Sequence, residues 1–169
     1  PPYNLLDRRI ENELVPLAMK YGVGLLPWSP LAGGMLAGRY RPGEAAPADS
    51  RAARMGAGPF GDRITAAALA ASQAVAALAG EAGMTAAQLA LLWAKDQPGI
   101  TAPIIGPRTL AHLEDNLAVL GMRLSPDLAA ALDGIVPPGG AVSDYLNSNE
   151  WANGRGRFLY PPLPTPVFP

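Results

Sequence analysis

Two short segments carry the residue types that hold an anion. The first is Leu25–Tyr40, where a run of apolar residues ends at Trp28 and passes into Ser29, Pro30 and Leu31, followed by Gly33, Gly34 and Gly38. Glycine has no Cβ, so backbone N–H groups in such a loop can approach an anionic ligand closely. The second is Ile104–Thr109, in which Gly106 and Arg108 stand just before a helix that Thr109 can cap. A guanidinium offers paired donors and a helix start adds partial positive charge, a combination suited to phosphate. Each segment alone is weak, since glycine-rich loops are usually turns and a lone arginine is usually solvated. Other chemistries are excluded by residue type. The chain has no Cys, so a thiol nucleophile, a disulfide framework and a cysteine metal site are absent. The single His112 argues against a zinc centre.

The elements that position these segments follow from spacing. Leu14, Leu17, Ala18 and Tyr21 predict a helix that Asn12 can cap and Gly22 stops. Val23–Trp28 predicts a buried parallel strand, apolar on both faces. Residues 31–63 are rich in Gly and Pro and predict a long functional or irregular excursion. Helices are expected from about Ile64 to Leu78 and after Thr85, where Thr85 and Gln88 fit a capping box. Ile100–Ile105 predicts a second strand, weakened by Pro103. Leu110, Leu113, Leu117 and Leu120 fall on one face of the next helix, and Ser125-Pro126 opens another. From Pro137 the chain predicts an irregular tail, with five Pro in the last eleven residues. Alternating strands and helices predict an α/β fold with parallel strands. Two clear strands are too few for a complete α/β domain, because the sheet would have open edges and bare faces.

The length of 169 residues allows one ordinary domain. Thirteen Lys and Arg balance fourteen Asp and Glu, which excludes a polycation built for nucleic acid. No apolar run is long enough to span a bilayer, and no basic-then-apolar leader opens the chain, so a cytoplasmic location is the expectation. The chain opens on Pro1-Pro2 without Met, which suggests an excised or partial product.

The two segments, read in order with Tyr3-Asn4 upstream and Glu114-Asp115-Asn116 downstream, are far more specific than either alone. From about Pro1 to Val136 the chain resembles the C-terminal portion of the aldo-keto reductases, on the branch that includes the voltage-gated potassium channel β subunits. The resemblance implies part of a (β/α)8 TIM barrel, an α/β fold with its site at the C-terminal face. Pro1–Leu5 would end strand six, Val23–Trp28 would be strand seven and Ile100–Ile105 strand eight. Residues 1–136 would be this barrel portion and 137–169 a Pro-rich tail.

The resemblance also implies NADP(H) as cofactor. Tyr3 matches an aromatic that stacks on the nicotinamide. Trp28, Ser29, Pro30, Leu31, Ala32 and Gly33 match a segment wrapping the pyrophosphate and ribose; for Trp28, simple packing is nearly as good a reading. Arg39 matches a basic position reaching the pyrophosphate, and Ser50-Arg51 a pair that clamps the cofactor. Gly106 and Arg108 match the 2′-phosphate site, where a permanent charge favours NADP over NAD. His112 stands where relatives carry Gln or Arg, and a solvent-facing helix residue is an equal reading. Asp115 and Asn116 match the pair that reads adenine, Asp being one methylene shorter than the usual Glu.

Such enzymes act through Asp, Tyr, Lys and His, which set the acidity of a proton donor. The chain's only lysines, Lys20 and Lys95, fall on predicted flanking helices, and no substitute set is present, so no catalytic residue is assigned. The expectation is the cofactor-binding portion of an NADP-dependent oxidoreductase of aldehydes or ketones, inactive alone. A small carbonyl substrate would be handled only with the missing half, which a complementing N-terminal chain could supply. Neither nucleic acid nor a membrane is an expected partner. A non-catalytic NADP-binding regulatory subunit, a non-functional gene fragment and another phosphate-binding barrel are open alternatives. Trp151 and Phe158 could line a substrate entrance or anchor the tail.

Overall fold

A computed structural model of the chain describes residues 1–55 and 61–146. Three extended segments lie side by side at its centre. Tyr3 N donates to Trp28 O (3.1 Å) and Trp28 N to Pro1 O (3.0 Å). On the other side Thr101 N donates to Leu25 O (2.9 Å) and Ile104 N to Pro27 O (2.7 Å). The pairings Pro2–Trp28 and Leu25–Ile100 are parallel bridges. The segments expected as strands are therefore present as neighbours, but no named strand forms among the described residues. Proline explains the interruption: Pro1, Pro2, Pro27 and Pro103 lack the N–H that a continuous ladder needs.

Helices cover one face of this arrangement. They are α1 (Leu14–Tyr21), α2 (Arg51–Met55), α3 (Ala66–Glu81), α4 (Ala86–Asp96), α5 (Leu110–Leu117) and α6 (Pro126–Ile135). The starts of α3, α4, α5 and α6 carry side-chain caps. Thr65, Thr85, Thr109 and Ser125 accept from Ala68 N, Gln88 N, His112 N and Leu128 N respectively. Thr85 and Gln88 complete the expected capping box. Asn12 does not cap α1: its amide donates instead to Gly139 O (3.1 Å), and the residue before the helix, Glu13, makes no capping bond. Gly22 ends α1 with φ 65°.

The core joins α3 and α4 to the first segment. Ala68, Ala71, Val75 and Ala79 bury one side of α3, and these small side chains let α4 approach closely. Leu89, Ala90 and Trp93 of α4 sit in the same core, and Leu91, Leu92 and Val119 form a second cluster. Residues 137–146 carry neither helix nor strand, yet they are tied down. Val142 N and Ser143 N donate to Leu6 O, Tyr145 N donates to the Asp7 carboxylate, and the Tyr145 side chain is buried. Trp151, Phe158 and the rest of the expected tail lie outside the described residues.

Two expected burials differ from the sequence reading. Leu25 is 6% exposed, but Leu26 is 55% and Ile104 53% exposed, so the extended segments are covered on one face only. On α5 the leucine edge faces outward, with Leu110 69% and Leu120 68% exposed (the latter in the turn that follows), whereas Asn116 is buried. The cause is the same in both places. A period-matched apolar face buries only where a partner exists, and the described residues supply none.

Candidate functional site

The ends of the second and third extended segments open into one cleft of about 760 Å³. Its wall begins with Trp28 and the turn after it. Ser29 (φ 59°) and Ala32 (φ 50°) are non-glycine residues in the left-handed region, followed by Gly33 (φ 64°) and Gly34 (φ 105°). Such a conformation costs an L-residue about 1–2 kcal/mol, so the surrounding structure must impose it. Asn4 is one restraint: fully buried, it donates from Nδ2 to Ser29 O (3.1 Å) while its Oδ1 accepts from Leu6 N (2.9 Å). Tyr40 is another, its hydroxyl donating to Gly33 O (3.4 Å).

The opposite wall is the turn Ile104–Arg108 and the inward side of α5. A Cβ placed on Gly106 would meet nothing within 4 Å, so this glycine leaves room toward the cleft rather than relieving a clash. Asn116 lines the cleft while only 6% exposed, and its side-chain amide makes no hydrogen bond to the described residues. Its polar atoms open on the cleft rather than being sealed in the core, so the amide is available to pair with a ligand there.

The cleft is lined by Arg39, Arg51, Arg54 and Arg108 together with Asp49 and Asp115. Asp49 bridges two of the cations. Its carboxylate pairs with Arg39 and lies 3.5 Å from Arg108, whose Nη1 also donates to Asp49 O (2.9 Å). The Arg39 guanidinium holds the Asp49 carboxyl below the usual carboxylate range. Asp49 thus offsets part of the positive charge that Arg39 and Arg108 bring to the cleft.

Every predicted site residue lines this cleft except Tyr3, Ala32 and Ser50. Ala32 is fully buried beneath the turn. Tyr3 is a core residue, which corrects the stacking role expected of it. It is 1% exposed, its ring centroid is 4.9 Å from that of Trp93, and its hydroxyl donates to Glu11 Oε1 (2.6 Å). Burial and the Glu11 carboxylate push its pKa well above the usual phenol value. Neither ring face is open to a ligand; Trp28 is the aromatic that lines the cleft. Ser50 likewise points away: it is buried and its Oγ accepts from Ala53 N (3.1 Å), capping α2, while Arg51 reaches the cleft. The sequence reading missed Asp49, Arg54 and the start of α4 at Thr85, Ala86 and Ala87. Signals existed for two of these. Arg54 follows Arg51 by three residues, one helical turn, and the capping box at Thr85 marks a helix start whose location only the fold reveals.

Among the described residues no group of His, Cys, Asp and Glu is arranged to hold a metal. Lys95 is engaged with Asp96 and Met122 O, and Lys20 lies over the Tyr21 ring, so neither reaches the cleft. No single helix among the described residues is long and apolar enough to cross a membrane.

Known proteins place this geometry in a family. The uncharacterized oxidoreductase YrpG of Bacillus subtilis is 36% identical over 149 residues, which cover 84% of this chain and 41% of that protein. A probable voltage-gated potassium channel subunit beta of rice, Oryza sativa subsp. japonica, is 34% identical over 80% of this chain and 42% of its own length. The L-glyceraldehyde 3-phosphate reductase of Escherichia coli is 32% identical over 79% of this chain and 39% of its own. The chain thus spans about two fifths of the length of these curated relatives. The sequence model of the Aldo/keto reductase family matches residues 1–137. The chain belongs to the aldo/keto reductase family, on the branch that includes the voltage-gated potassium channel β subunits.

Proposed function

We propose that residues 1–136 are the cofactor-binding portion of an NADP-dependent oxidoreductase of aldehydes and ketones, with no turnover of their own. In this reading the three extended segments are strands six to eight of a (β/α)8 barrel. The bare face carrying Leu26 and Ile104 supports it, since a closed barrel would cover that face. Residues 137–169 continue as a C-terminal tail.

The observation that carries the cofactor assignment is the cleft itself. Four arginines line it at the ends of two extended segments, beside the Asn116 amide, which makes no hydrogen bond to the described residues. The residues present fit a dinucleotide with three phosphates. Arg108 and the space at Gly106 would take the 2′-phosphate, with His112 able to donate one further hydrogen bond. Arg39 and Arg51 would take the pyrophosphate, against the turn from Trp28 to Gly33. Asp115 and Asn116 would read the adenine. The phosphates must displace Asp49 from Arg39 and Arg108, and a dianion outcompetes a carboxylate for paired guanidiniums. The cofactor, when bound, supplies hydride. This chain contributes binding and orientation, and the proton donor for the carbonyl oxygen comes from outside these residues.

The test is turnover. The purified 169-residue chain is expected to consume no NADPH with any aldehyde or ketone beyond a mock preparation. Sustained consumption would overturn the reading. A non-catalytic, cofactor-binding regulatory subunit is the second reading, favoured by the resemblance to the rice channel subunit. It predicts that a longer version of the protein also binds NADPH without turnover.

A further inference from the structure

Behind the cleft, α4 and α5 are joined through one carboxylate. Gln88 Nε2 donates to Asp115 Oδ1 (2.8 Å), and Thr85 Oγ1 donates to Asp115 Oδ2 (3.1 Å). The same two residues form the capping box of α4: Thr85 Oγ1 accepts from Gln88 N, and Gln88 Oε1 accepts from Thr85 N (3.1 Å each). A capping box needs only an acceptor at its third helical position, and Glu serves as well as Gln there. The amide is required for the other contact, because only Gln carries the N–H donor that holds Asp115. Asp115 lines the cleft beside Asn116, whose amide makes no hydrogen bond to the described residues, and Gln88 does not line it.

We propose that Gln88 is a positioning residue for base recognition: acting from behind, it fixes the Asp115 carboxylate so that it accepts from an exocyclic amino group, as on adenine. This rests on the reading of the cleft as a nucleotide site. A carboxylate keeps lone pairs free after accepting from Gln88 and Thr85, and these attract an amino group and repel a carbonyl oxygen. The site therefore selects adenine over hypoxanthine, which presents oxygen in place of that amino group.

The experiment compares adenosine 2′-phosphate with inosine 2′-phosphate by calorimetric titration of the whole chain. Wild type is expected to prefer the adenosine compound by about tenfold or more, the worth of a hydrogen bond to a charged group. Gln88→Glu keeps the capping acceptor but sets a second carboxylate against Asp115. Its expected result is loss of most of that preference, about tenfold, in a chain that still unfolds in one cooperative transition, at a slightly lower midpoint. Gln88→Asp, which likewise introduces a carboxylate into the first helical turn, should act in the same direction. Retained binding with an unchanged preference in both variants would overturn the role of Gln88 and leave the cleft reading intact. Unfolding of both variants would make Gln88 a structural cap and overturn it equally. Failure of the wild-type chain to bind either compound would overturn the cleft reading along with it.

Discussion

At Tyr3, a ring packed on Trp93 leaves the hydroxyl a single partner, the Glu11 carboxylate. Glu11 also accepts from Arg8 and from Gly139 N, so the phenol completes a network linking the first extended segment to the segment after α6. Tyr3→Phe should cost about 2 kcal/mol of stability, read by urea unfolding, and leave NADPH affinity unchanged. A loss of affinity without loss of stability would restore Tyr3 to the site. The residues that line the cleft were legible in the sequence, because Gly106, Arg108 and the turn after Trp28 follow one another in a recognisable order. Burial was not legible. Nothing local distinguishes a tyrosine at the mouth of a site from one beneath it, and Trp93, which covers Tyr3, is ninety residues away.

Among the elements, α4 is fixed at both ends by side chains read differently in the sequence. Its start was predicted from Thr85 and Gln88, because a capping box is a local signal. Its end is held by Asp96, which accepts from Lys95 Nζ (2.6 Å), Arg123 Nη1 (3.2 Å) and Leu124 N (2.7 Å). The last two lie 27 and 28 residues on, beyond reach of periodicity. Burial alone would raise the Asp96 pKa, but the Lys95, Leu124 and Arg123 contacts outweigh it and hold the carboxyl below its usual range. The stabilisation is therefore complete above the unfolded value near 3.9 and is lost as pH falls through the lower folded value. Asp96→Asn should cost about 1–2 kcal/mol at neutral pH. In denaturant titrations against pH, the gap to wild type should hold from pH 7 to about 5 and close below about 4. A gap that widens in acid would contradict this account. The strands were the harder elements. Their positions and parallel order were legible, whereas the interruption of the ladder depends on which N–H groups proline removes at each pairing.

Across the molecule, apolar faces that sequence periodicity assigned to burial stand open at Leu26, Ile104, Leu110 and Leu120. A sequence can state that a face is apolar; what covers it is a property of the partner surface. This asymmetry fits a chain that spans about two fifths of the length of its relatives, with the cleft assembled and apolar faces left open. The central claim is that the cleft between the turn after Trp28 and the start of α5 holds a 2′-phosphorylated dinucleotide. Titration of the 169-residue chain with NADPH and NADH, followed by nicotinamide fluorescence, tests it most directly. The account predicts saturable NADPH binding, about tenfold weaker binding of NADH, and equal affinities once Arg108→Leu removes the phosphate's cation. No saturable NADPH binding, or a preference for NADPH that survives Arg108→Leu, would contradict it.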